Sequence, residues 1–353
     1  MRTVVVTGVG RFLGANVAAR LAADPGVGRV IGVDHAPAPD DLEEALDRTP
    51  SGHASVVVVH ADLRTSEIAD VIADAKADAV VHLAVVTSPD GYPGGRAGMK
   101  EQNVIGTMQV LAACQQAPSV RKVVIRSSTA AYGASFRDPA IFTEDTEPRE
   151  VPRGGFARDI LDIEGYVRGF RRRRPDVAAT VLRFVPFVGG RVNTRLTRYF
   201  AQPAVPTVIG RDPRLQFLHI DDAIEVLYRS ITEDHPGTFN VAGPGVLLLS
   251  QAIRRAGRLA VPVLEFGMSG AAALAKRVNI LGLSLDQVDL FVHGRVVDIS
   301  RLIKEYGYTP RSTADAFVDF VQAREPGVLH AERVAAAERA ILDGIRQVRS
   351  GRN

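Results

Sequence analysis

The fold is decided by the stretch Thr3-Val4-Val5-Val6-Thr7-Gly8-Val9-Gly10-Arg11-Phe12-Leu13-Gly14, in which a β-branched run leads into a glycine-rich turn and then into a helical segment. Such a turn needs glycines because a Cβ would keep the backbone away from a pyrophosphate, which the N-terminus of the following helix attracts. A glycine-rich turn alone is a weak signal, but its place between a strand and a helix strengthens it. The stretch therefore predicts a dinucleotide-binding turn.

An acidic residue follows at the spacing that this kind of turn requires. Asp34 ends the second predicted strand, twenty residues after Gly14. A carboxylate in this place accepts hydrogen bonds from the adenosine ribose of NAD and repels the 2′-phosphate of NADP. Asp34 therefore favours NAD.

Farther along the chain, short β-branched runs alternate with segments that carry apolar residues at helical spacing. The predicted strands are Thr3–Thr7, Arg29–Asp34, Ser55–Ala61, Ala79–Leu83, Lys122–Arg126 and Ala179–Phe184. Strands and helices that alternate in this way predict an α/β fold, a Rossmann-type doubly wound parallel sheet. The four valines from Val56 to Val59 predict a strand that is covered on both faces.

The pattern changes after residue 185, where Pro and Gly become frequent and the strands become short. We expect residues 1–185 to form the dinucleotide-binding core, completed by about 216–243, and residues 186–215 and 244–323 to form a smaller C-terminal substrate lobe. Within residues 324–353, apolar residues spaced three and four apart predict an amphipathic helix. This helix would pack on its own chain, or it would form an arm that binds a partner or a membrane surface.

Composition and charge exclude several classes of protein. The 353 residues are 46% hydrophobic and 24% charged, close to globular averages. The single cysteine, Cys114, excludes a disulfide framework and a Cys-based zinc site, and we expect no metal. The cluster Arg171–Arg174 ends a helical segment, where cations favour the helix dipole and face solvent. We therefore expect no nucleic-acid partner.

The N-terminal segment is too short and too quickly polar for a signal peptide. No segment reaches the ~18 uncharged apolar residues that a membrane span needs. We therefore expect a cytoplasmic protein without a membrane span.

Further motifs, in the right order, carry a family resemblance. They are His60-Ala61-Asp62-Leu63, Val81-His82-Leu83-Ala84, Gln102-Asn103-Val104-Ile105-Gly106-Thr107, Val124-Ile125-Arg126-Ser127-Ser128-Thr129-Ala130-Ala131-Tyr132-Gly133, Phe239-Asn240-Val241-Ala242-Gly243 and Glu305-Tyr306-Gly307-Tyr308-Thr309-Pro310. Over residues 1–322 the chain resembles the extended branch of the short-chain dehydrogenase/reductase superfamily, which includes NAD-dependent epimerases and dehydratases of nucleotide sugars. The resemblance implies an NAD-binding oxidoreductase type of site, a small-molecule substrate such as a nucleotide sugar, and a homodimer formed through the helices of Gln102–Gln116 and Phe156–Arg174.

The resemblance also implies roles for single residues. In the family, Asp62 matches the acceptor of the adenine amino group, and Ser128 matches the Ser or Thr that hydrogen-bonds a substrate hydroxyl or keto oxygen. The implied cofactor-binding set is Gly8, Gly10, Arg11, Phe12, Leu13, Gly14, Asp34, Asp62, Leu63, Leu83 and Ala84.

Arg11 departs from the extended branch, which has glycine in this place. In the smaller single-domain branch, a basic residue here commonly favours NADP, so Arg11 fits either a pyrophosphate or a 2′-phosphate. Because the Asp34 carboxylate would repel a phosphate beside it, NAD is favoured and NADP stays open.

The family's acid–base pair is missing where it should occur. The family carries a tyrosine and, four residues later, a lysine whose charge lowers the pKa of the phenol, so that the phenol can exchange a proton. By position Phe156 and Ile160 replace them, and neither side chain can ionise. A shifted register does not restore the pair, because Tyr166 is followed four residues later by Phe170. Other groups near the site are Asp159, Tyr132 and His82.

Two functions remain open. One is an NAD-dependent epimerase or dehydratase with an unusual acid–base group, which the adenosine-side motifs and Ser128 favour. The other is a non-catalytic protein that binds a dinucleotide or ligand and acts in regulation or as a scaffold. Phe156 and Ile160 favour this second function, because neither side chain can exchange a proton.

The residues that would meet a substrate diphosphate are Arg191, Asn193, Arg195 and Arg211.

Overall fold

A computed structural model describes residues 1–35, 40–48, 54–90, 92–152, 154–263 and 285–324. Apart from Arg324, the predicted C-terminal helix of residues 324–353 lies outside the described residues. Residues 264–284 of the predicted substrate lobe also lie outside them.

Thirteen strands lie within the described residues, and seven of them form the main sheet. In chain order they are β1 (Arg2–Thr7), β2 (Val27–Asp34), β3 (Ser55–His60), β4 (Ala79–His82), β5 (Lys122–Ser128), β6 (Ala178–Phe184), β7 (Phe187–Val188), β8 (Ala204–Val208), β9 (Arg214–Leu215), β10 (Leu218–His219), β11 (Gly237–Val241), β12 (Leu247–Leu248) and β13 (Leu259–Val263).

Helices connect these strands. Within the described residues they are α1 (Phe12–Ala22), α2 (Asp40–Arg48), α3 (Glu67–Ala75), α4 (Gly95–Lys100), α5 (Gly106–Gln116), α6 (Gly155–Arg173), α7 (Arg195–Ala201), α8 (Ile220–Thr232), α9 (Leu249–Arg255), α10 (Leu285–His293), α11 (Ser300–Tyr306) and α12 (Thr313–Gln322). A π-helical turn, Glu101–Ile105, joins α4 to α5, and a 3₁₀ turn, Thr129–Tyr132, follows β5.

Seven strands form one parallel sheet in the order β11-β6-β5-β4-β1-β2-β3, which confirms the predicted doubly wound fold. Apolar side chains of β1 alternate between its two faces: Val5 packs in one hydrophobic cluster, while Val4 and Val6 pack in the other. Burying each of them contributes about 1.5–3 kcal/mol. The strand order reverses between β1 and β4, and a sheet of this kind binds ligands outside the carboxyl ends of its strands at that point.

The prediction that Val56–Val59 is covered on both faces is wrong. β3 is the edge strand of the sheet, and each of its residues is exposed or only partly buried. Val57 is 39% exposed, whereas Val56 and Val58 pack against one core cluster. Four valines in a row therefore report β propensity here rather than two covered faces.

The arginine cluster also departs from the expected solvated helix end. Arg171 donates to the carbonyl oxygens of Ala179 and Gly237 at 3.0 and 2.6 Å. Arg174 donates to the carbonyl oxygens of Cys114 and Val120 at 3.0 and 3.2 Å. Arg173 Nε donates to Gln115 Oε1 on α5 at 2.7 Å. Three of the four guanidinium groups thus tie the end of α6 to neighbouring elements.

Beyond the sheet, a third hydrophobic cluster joins the short strand pairs. β7 pairs with β10, β8 with β13 and β9 with β12. Aromatic rings fill this cluster, and the rings of Tyr199 and Phe291 stack with centroids 4.1 Å apart.

The helices of the described ranges are all too short or too polar to cross a bilayer.

Candidate functional site

The glycine-rich turn lies at the carboxyl end of β1, against the end of β4. Gly8 has φ +81° and donates its N–H to the carbonyl oxygen of Val33 at 2.8 Å. A Cβ on Gly8 would lie 2.8 Å from the backbone nitrogen of Ala84, and one on Gly14 would lie 2.1 Å from the carbonyl oxygen of Gly8. Glycine at both positions is what allows α1 and β4 to pack this closely on the turn.

The N-terminus of α1 is open toward the crevice. Its capping residue, Arg11, has an extended backbone and no capping hydrogen bond from its side chain, and the first turn carries no acid. The first N–H groups of a helix lack partners within the helix, and its dipole is positive at this end. This terminus therefore fits an anionic group such as a pyrophosphate.

Asp34 is 7% exposed and ends β2 beside the turn. Its Oδ2 accepts from Gly10 N–H at 2.8 Å, and its Oδ1 accepts from His35 N–H at 2.8 Å. These two backbone N–H groups hold the carboxylate beside the turn. The turn and the acid that the sequence predicts are thus in contact.

The remaining predicted cofactor residues divide between the crevice wall and its surroundings. Leu83 donates its N–H to Thr7 at the end of β1 and, like Leu63, is 2% exposed, while Ala84 lies against Gly8. Leu13 is 7% exposed in the core, and Phe12 lies under the guanidinium of Arg191, 5.2 Å from its ring centroid.

Asp62 is engaged with a neighbour along the chain. Its carboxylate accepts from Arg64 Nε and NH2 at 2.9 and 2.7 Å, and this pairing holds the pKa of Asp62 below its usual value. The sequence alone does not reveal this ion pair.

Arg11 points across the crevice rather than back onto its helix. Its guanidinium lies 6.0 Å from the ring centroid of Tyr92. Its charge also reaches Arg126 and helps to lower the pKa of that side chain. Arg11 is therefore within electrostatic reach of the β5 side of the crevice.

His82 is fully buried between two threonines. Its Nδ1 lies 2.8 Å from Thr7 Oγ1 and its Nε2 lies 2.9 Å from Thr107 Oγ1. Burial lowers the pKa of His82 to about 4. The neutral ring thus fastens β4 to β1 and α5, and no ring nitrogen is left for a substrate.

This burial predicts an acid-sensitive fold. The folded pKa of His82 lies below the unfolded value, so protonation favours the unfolded chain, and stability is lost as the pH falls from about 6.5 toward 4. Between pH 7.5 and pH 5 the loss attributable to His82 should be about 2 kcal/mol. Urea unfolding of wild type and His82→Gln at both pH values measures it, and an equally steep pH dependence in the variant would refute this assignment.

A cavity of about 290 Å³ opens beside the ends of β4, β5 and β6. Part of its lining comes from the ends of the strands and from α6, including Val85, Ser128 and Phe156, and another part comes from the segment around α7. Its charged lining residues are all arginines: Arg126, Arg195, Arg198 and Arg295.

The structure places Phe156 and Ile160, which the sequence predicts at the Tyr and Lys positions, in different surroundings. Phe156 is half-buried in the first turn of α6 and lines the cavity with Ser128. Ile160, one turn later, is 0% exposed in the core. Ser128 Oγ also accepts from Ala130 N–H at 3.1 Å, which starts the 3₁₀ turn.

Asp159, an alternative acid–base group, does not reach the cavity. It is 0% exposed, and its carboxylate accepts from Arg96 at 2.6 and 2.8 Å and from Asn103 Nδ2 at 3.1 Å. Arg96 also donates to the carbonyl oxygen of Gly155 at 2.7 Å. Asp159 therefore anchors the start of α6 to α4 and the π-helical turn.

Tyr132 is likewise held in a buried network. Its hydroxyl donates to Asn240 Oδ1 at 2.7 Å and accepts from Arg183 NH1 at 2.8 Å. Burial raises the pKa of Tyr132 above its usual value. Glu164 in turn binds Arg183 at 2.7 Å, so these residues connect β6, α6 and the loop after β5.

Arg126 is the site residue that the sequence reasoning missed. It lies on β5, two residues before Ser128, and burial lowers its pKa to about 10. The signal in the sequence that could have identified Arg126 is a charged residue near the carboxyl end of a buried apolar strand.

The suggested diphosphate residues are not all at the cavity. Asn193 and Arg195 line it. Arg191 instead pairs with Asp221 at 3.4 Å, and Arg211 is exposed in the turn after β8. Arg198, which the sequence did not single out, lines the cavity beside Arg195.

Comparison with known proteins agrees with this geometry. The chain is 45% identical over 324 residues to an uncharacterized protein of Mycobacterium tuberculosis, covering 92% of this chain and 84% of that protein. The UDP-glucose 4-epimerase of Thermotoga maritima, solved with UDP-glucose, has a TM-score of 0.68 at 18% identity, with 91% and 98% of the two chains covered. A double mutant of the dTDP-glucose 4,6-dehydratase of Streptomyces venezuelae, solved with NAD bound, has a TM-score of 0.69 at 20% identity, covering 92% and 96%.

The family follows from the sequence match, whereas the two solved structures share the fold. The profile of the NAD dependent epimerase/dehydratase family matches residues 4–242, which span β1, the glycine-rich turn, Asp34 and Ser128. This match covers more than half of the chain and begins at the strand that leads into the turn. The chain belongs to the NAD-dependent epimerase/dehydratase family.

Proposed function

We propose that this protein binds NAD in the crevice and a nucleotide sugar in the adjoining cavity, without the phenol–ammonium proton transfer of its family. The cavity lining carries the proposal. Ser128, Phe156 and four arginines face the cavity, and the described lining residues include no tyrosine, lysine, histidine or carboxylate. The site is therefore equipped for binding rather than for acid–base chemistry.

The residues of the crevice fit NAD. The open N-terminus of α1 and the backbone of Gly8 and Gly10 would hold the pyrophosphate, with Arg11 beside it, and Asp34 would hold the adenosine ribose. When bound, NAD supplies a hydride acceptor. The structural neighbour from Streptomyces venezuelae was solved with NAD, which supports this choice. The buried carboxylate of Asp34 disfavours the 2′-phosphate of NADP.

The cavity fits a nucleotide sugar in two parts. Asn193, Arg195 and Arg198 on the wall near α7 would bind the diphosphate, since guanidinium groups bind phosphate oxygens in bidentate geometry. Ser128 at the end of β5 would bind a sugar hydroxyl. The structural neighbour from Thermotoga maritima was solved with UDP-glucose, which supports this ligand class.

The side chains of the cavity hold a ligand but do not exchange protons near neutral pH. A guanidinium stays protonated, a serine hydroxyl without an adjacent base stays neutral, and the Phe156 ring has no ionisable group. His82, Tyr132 and Asp159 are buried in networks away from the lining. We therefore favour a binding protein that reports ligand occupancy over an enzyme.

Catalysis is the second candidate function, and one observation favours it. Ser128 keeps the position of the family's substrate-binding hydroxyl and faces the cavity. An enzyme would then need a proton acceptor from another source, such as water or the substrate itself.

We also propose the assembly and domain division of the chain. Ile105 and Tyr166, on the two helices that pair in family dimers, are 36% and 37% exposed, which supports a homodimer through these surfaces. Residues 1–185 with about 216–243 would form the dinucleotide-binding domain, and residues 186–215 and 244–323 the substrate lobe.

Isothermal titration calorimetry tests the proposed function directly. The purified protein should bind NAD with micromolar affinity, about −8 kcal/mol, and the NAD-loaded protein should bind at least one of UDP-glucose, dTDP-glucose and GDP-mannose. The absence of dinucleotide binding would overturn the proposal.

A further inference from the structure

We propose that Arg126 forms a carboxylate-binding subsite beside Ser128, so that the ligand of the cavity is a nucleotide-linked sugar acid. This inference rests on the proposed function and specifies its substrate class. It concerns the part of the cavity lining that β5 supplies, not the arginines of α7.

The position of Arg126 is fixed by two contacts. Its NH1 donates to the carbonyl oxygen of Val85 at 3.2 Å, and its guanidinium lies 5.7 Å from the ring centroid of Phe187. Val85, Arg126 and Phe187 all line the cavity. A guanidinium has five N–H donors in a planar fork, so the single bond to Val85 leaves most of them for a ligand.

The charge of Arg126 has no counter-ion among the described residues. No carboxylate lines the described part of the cavity, and the charge that contributes to the lowered pKa of Arg126 is that of another cation, Arg11. A desolvated cation without a partner is costly, because burial removes its hydration. An anionic group bound from the cavity would offset that cost.

A second cation of the same cavity points the same way. The Nε of Arg195 is buried without a hydrogen-bond partner, although the end of this side chain pairs with Asp90. Arg195 belongs to α7 and Arg126 to β5, so two different elements bring a cation to the cavity. A ligand that contacts both elements therefore meets two positive charges.

The apolar lining of the cavity suits a sugar ring. Phe156, Phe184 and Val85 line the cavity together with Ser128, which follows Arg126 by two residues. A diphosphate at the α7 wall would place the sugar beside Ser128, and a carboxylate on that sugar would meet the Arg126 fork in bidentate geometry.

Calorimetry on the NAD-loaded protein with two matched ligand pairs tests the subsite. The pairs are UDP-glucose with UDP-glucuronic acid and GDP-mannose with GDP-mannuronic acid, so that each pair differs by a carboxylate. In at least one pair the acid should bind at least about 10-fold more tightly, as expected for a hydrogen-bonded charge pair. Arg126→Met should abolish this preference by weakening the binding of the acid alone, and should leave NAD binding unchanged.

Two further variants keep the outcome interpretable. Arg198→Met, on α7, should weaken both members of a pair by the same factor and preserve the preference. Arg126→Lys keeps the charge but loses the fork, so it should keep only part of the preference; it also serves if Arg126→Met fails to fold.

The inference is overturned if the acids bind no more tightly than the neutral sugars. It is also overturned if Arg126→Met weakens the binding of the neutral sugar or of NAD as much as it weakens the binding of the acid. Binding of the neutral sugars without a preference would remove only the carboxylate subsite. Failure of all four nucleotide sugars to bind would remove the proposed function as well.

Discussion

Asp34→Ser is expected to shift the preference between NAD and NADP by about 1,000-fold toward NADP, because it removes acceptors and a negative charge together. The carboxylate is 7% exposed and ends β2 beside the turn. Losing charged hydrogen bonds to the ribose, at about 1.5–3 kcal/mol, weakens NAD by about 10- to 100-fold. NADP binding becomes at least about 10-fold tighter, because the variant removes the repulsion between the Asp34 carboxylate and the 2′-phosphate. Two negative charges near 5 Å repel by about 3 kcal/mol at an effective dielectric constant of about 20.

The measurement is a pair of dissociation constants, for NAD and for NADP, on wild type and variant. Asp62→Asn is the matched control, because we propose that Asp62 faces the adenine, which NAD and NADP share, and its carboxylate is paired with Arg64. It should weaken both dinucleotides by the same factor. An unchanged NAD to NADP ratio in Asp34→Ser would show that Asp34 does not face the ribose.

Gly8→Ala is expected to weaken NAD binding by about 100-fold, because small displacements of a binding backbone have effects of this size. The added Cβ would lie 2.8 Å from Ala84 N and 2.9 Å from Ala84 Cα. Both are backbone atoms, so either the turn or the end of β4 must move. The pyrophosphate cradle then no longer fits.

Gly210→Ala separates this steric effect from backbone strain. Gly210 has φ +79°, close to the +81° of Gly8, but a Cβ there would meet nothing within 4 Å. The left-handed backbone should cost both variants about 1–2 kcal/mol of unfolding free energy, and Gly8→Ala should lose more because of its contact with Ala84. Only Gly8→Ala should lose NAD affinity, as measured by calorimetry. Equal NAD affinities in the two variants would remove the turn from the cofactor site.

Local patterns were sufficient to predict the fold. The β-branched runs and the glycine-rich turn predicted β1, β2 and their connection, since these features depend on residues close in sequence. The order of strands across the sheet is a long-range property. The run of valines therefore cannot show that β3 forms the edge of the sheet, and the prediction that both faces of β3 are covered is wrong.

The candidate site was predictable only in part. Phe156 and Ser128 were placed by motif spacing, and both line the cavity. The partners of Asp159 are 56 and 63 residues away in the chain. Its role as a buried anchor therefore depends on tertiary contacts that no local pattern reports. The role of Arg126 also depends on tertiary contacts, because other cations meet it only in the folded cavity. Local sequence patterns therefore do not identify it.

We propose that the crevice binds NAD while the described lining of the cavity holds no group that exchanges protons near neutral pH. Proton NMR of a bound nucleotide sugar, incubated in D2O with the NAD-loaded protein, tests it most directly. We predict an unchanged spectrum, with neither epimer nor dehydration product and no deuterium on the sugar. Formation of either product, or incorporation of deuterium at a sugar carbon, would contradict this account.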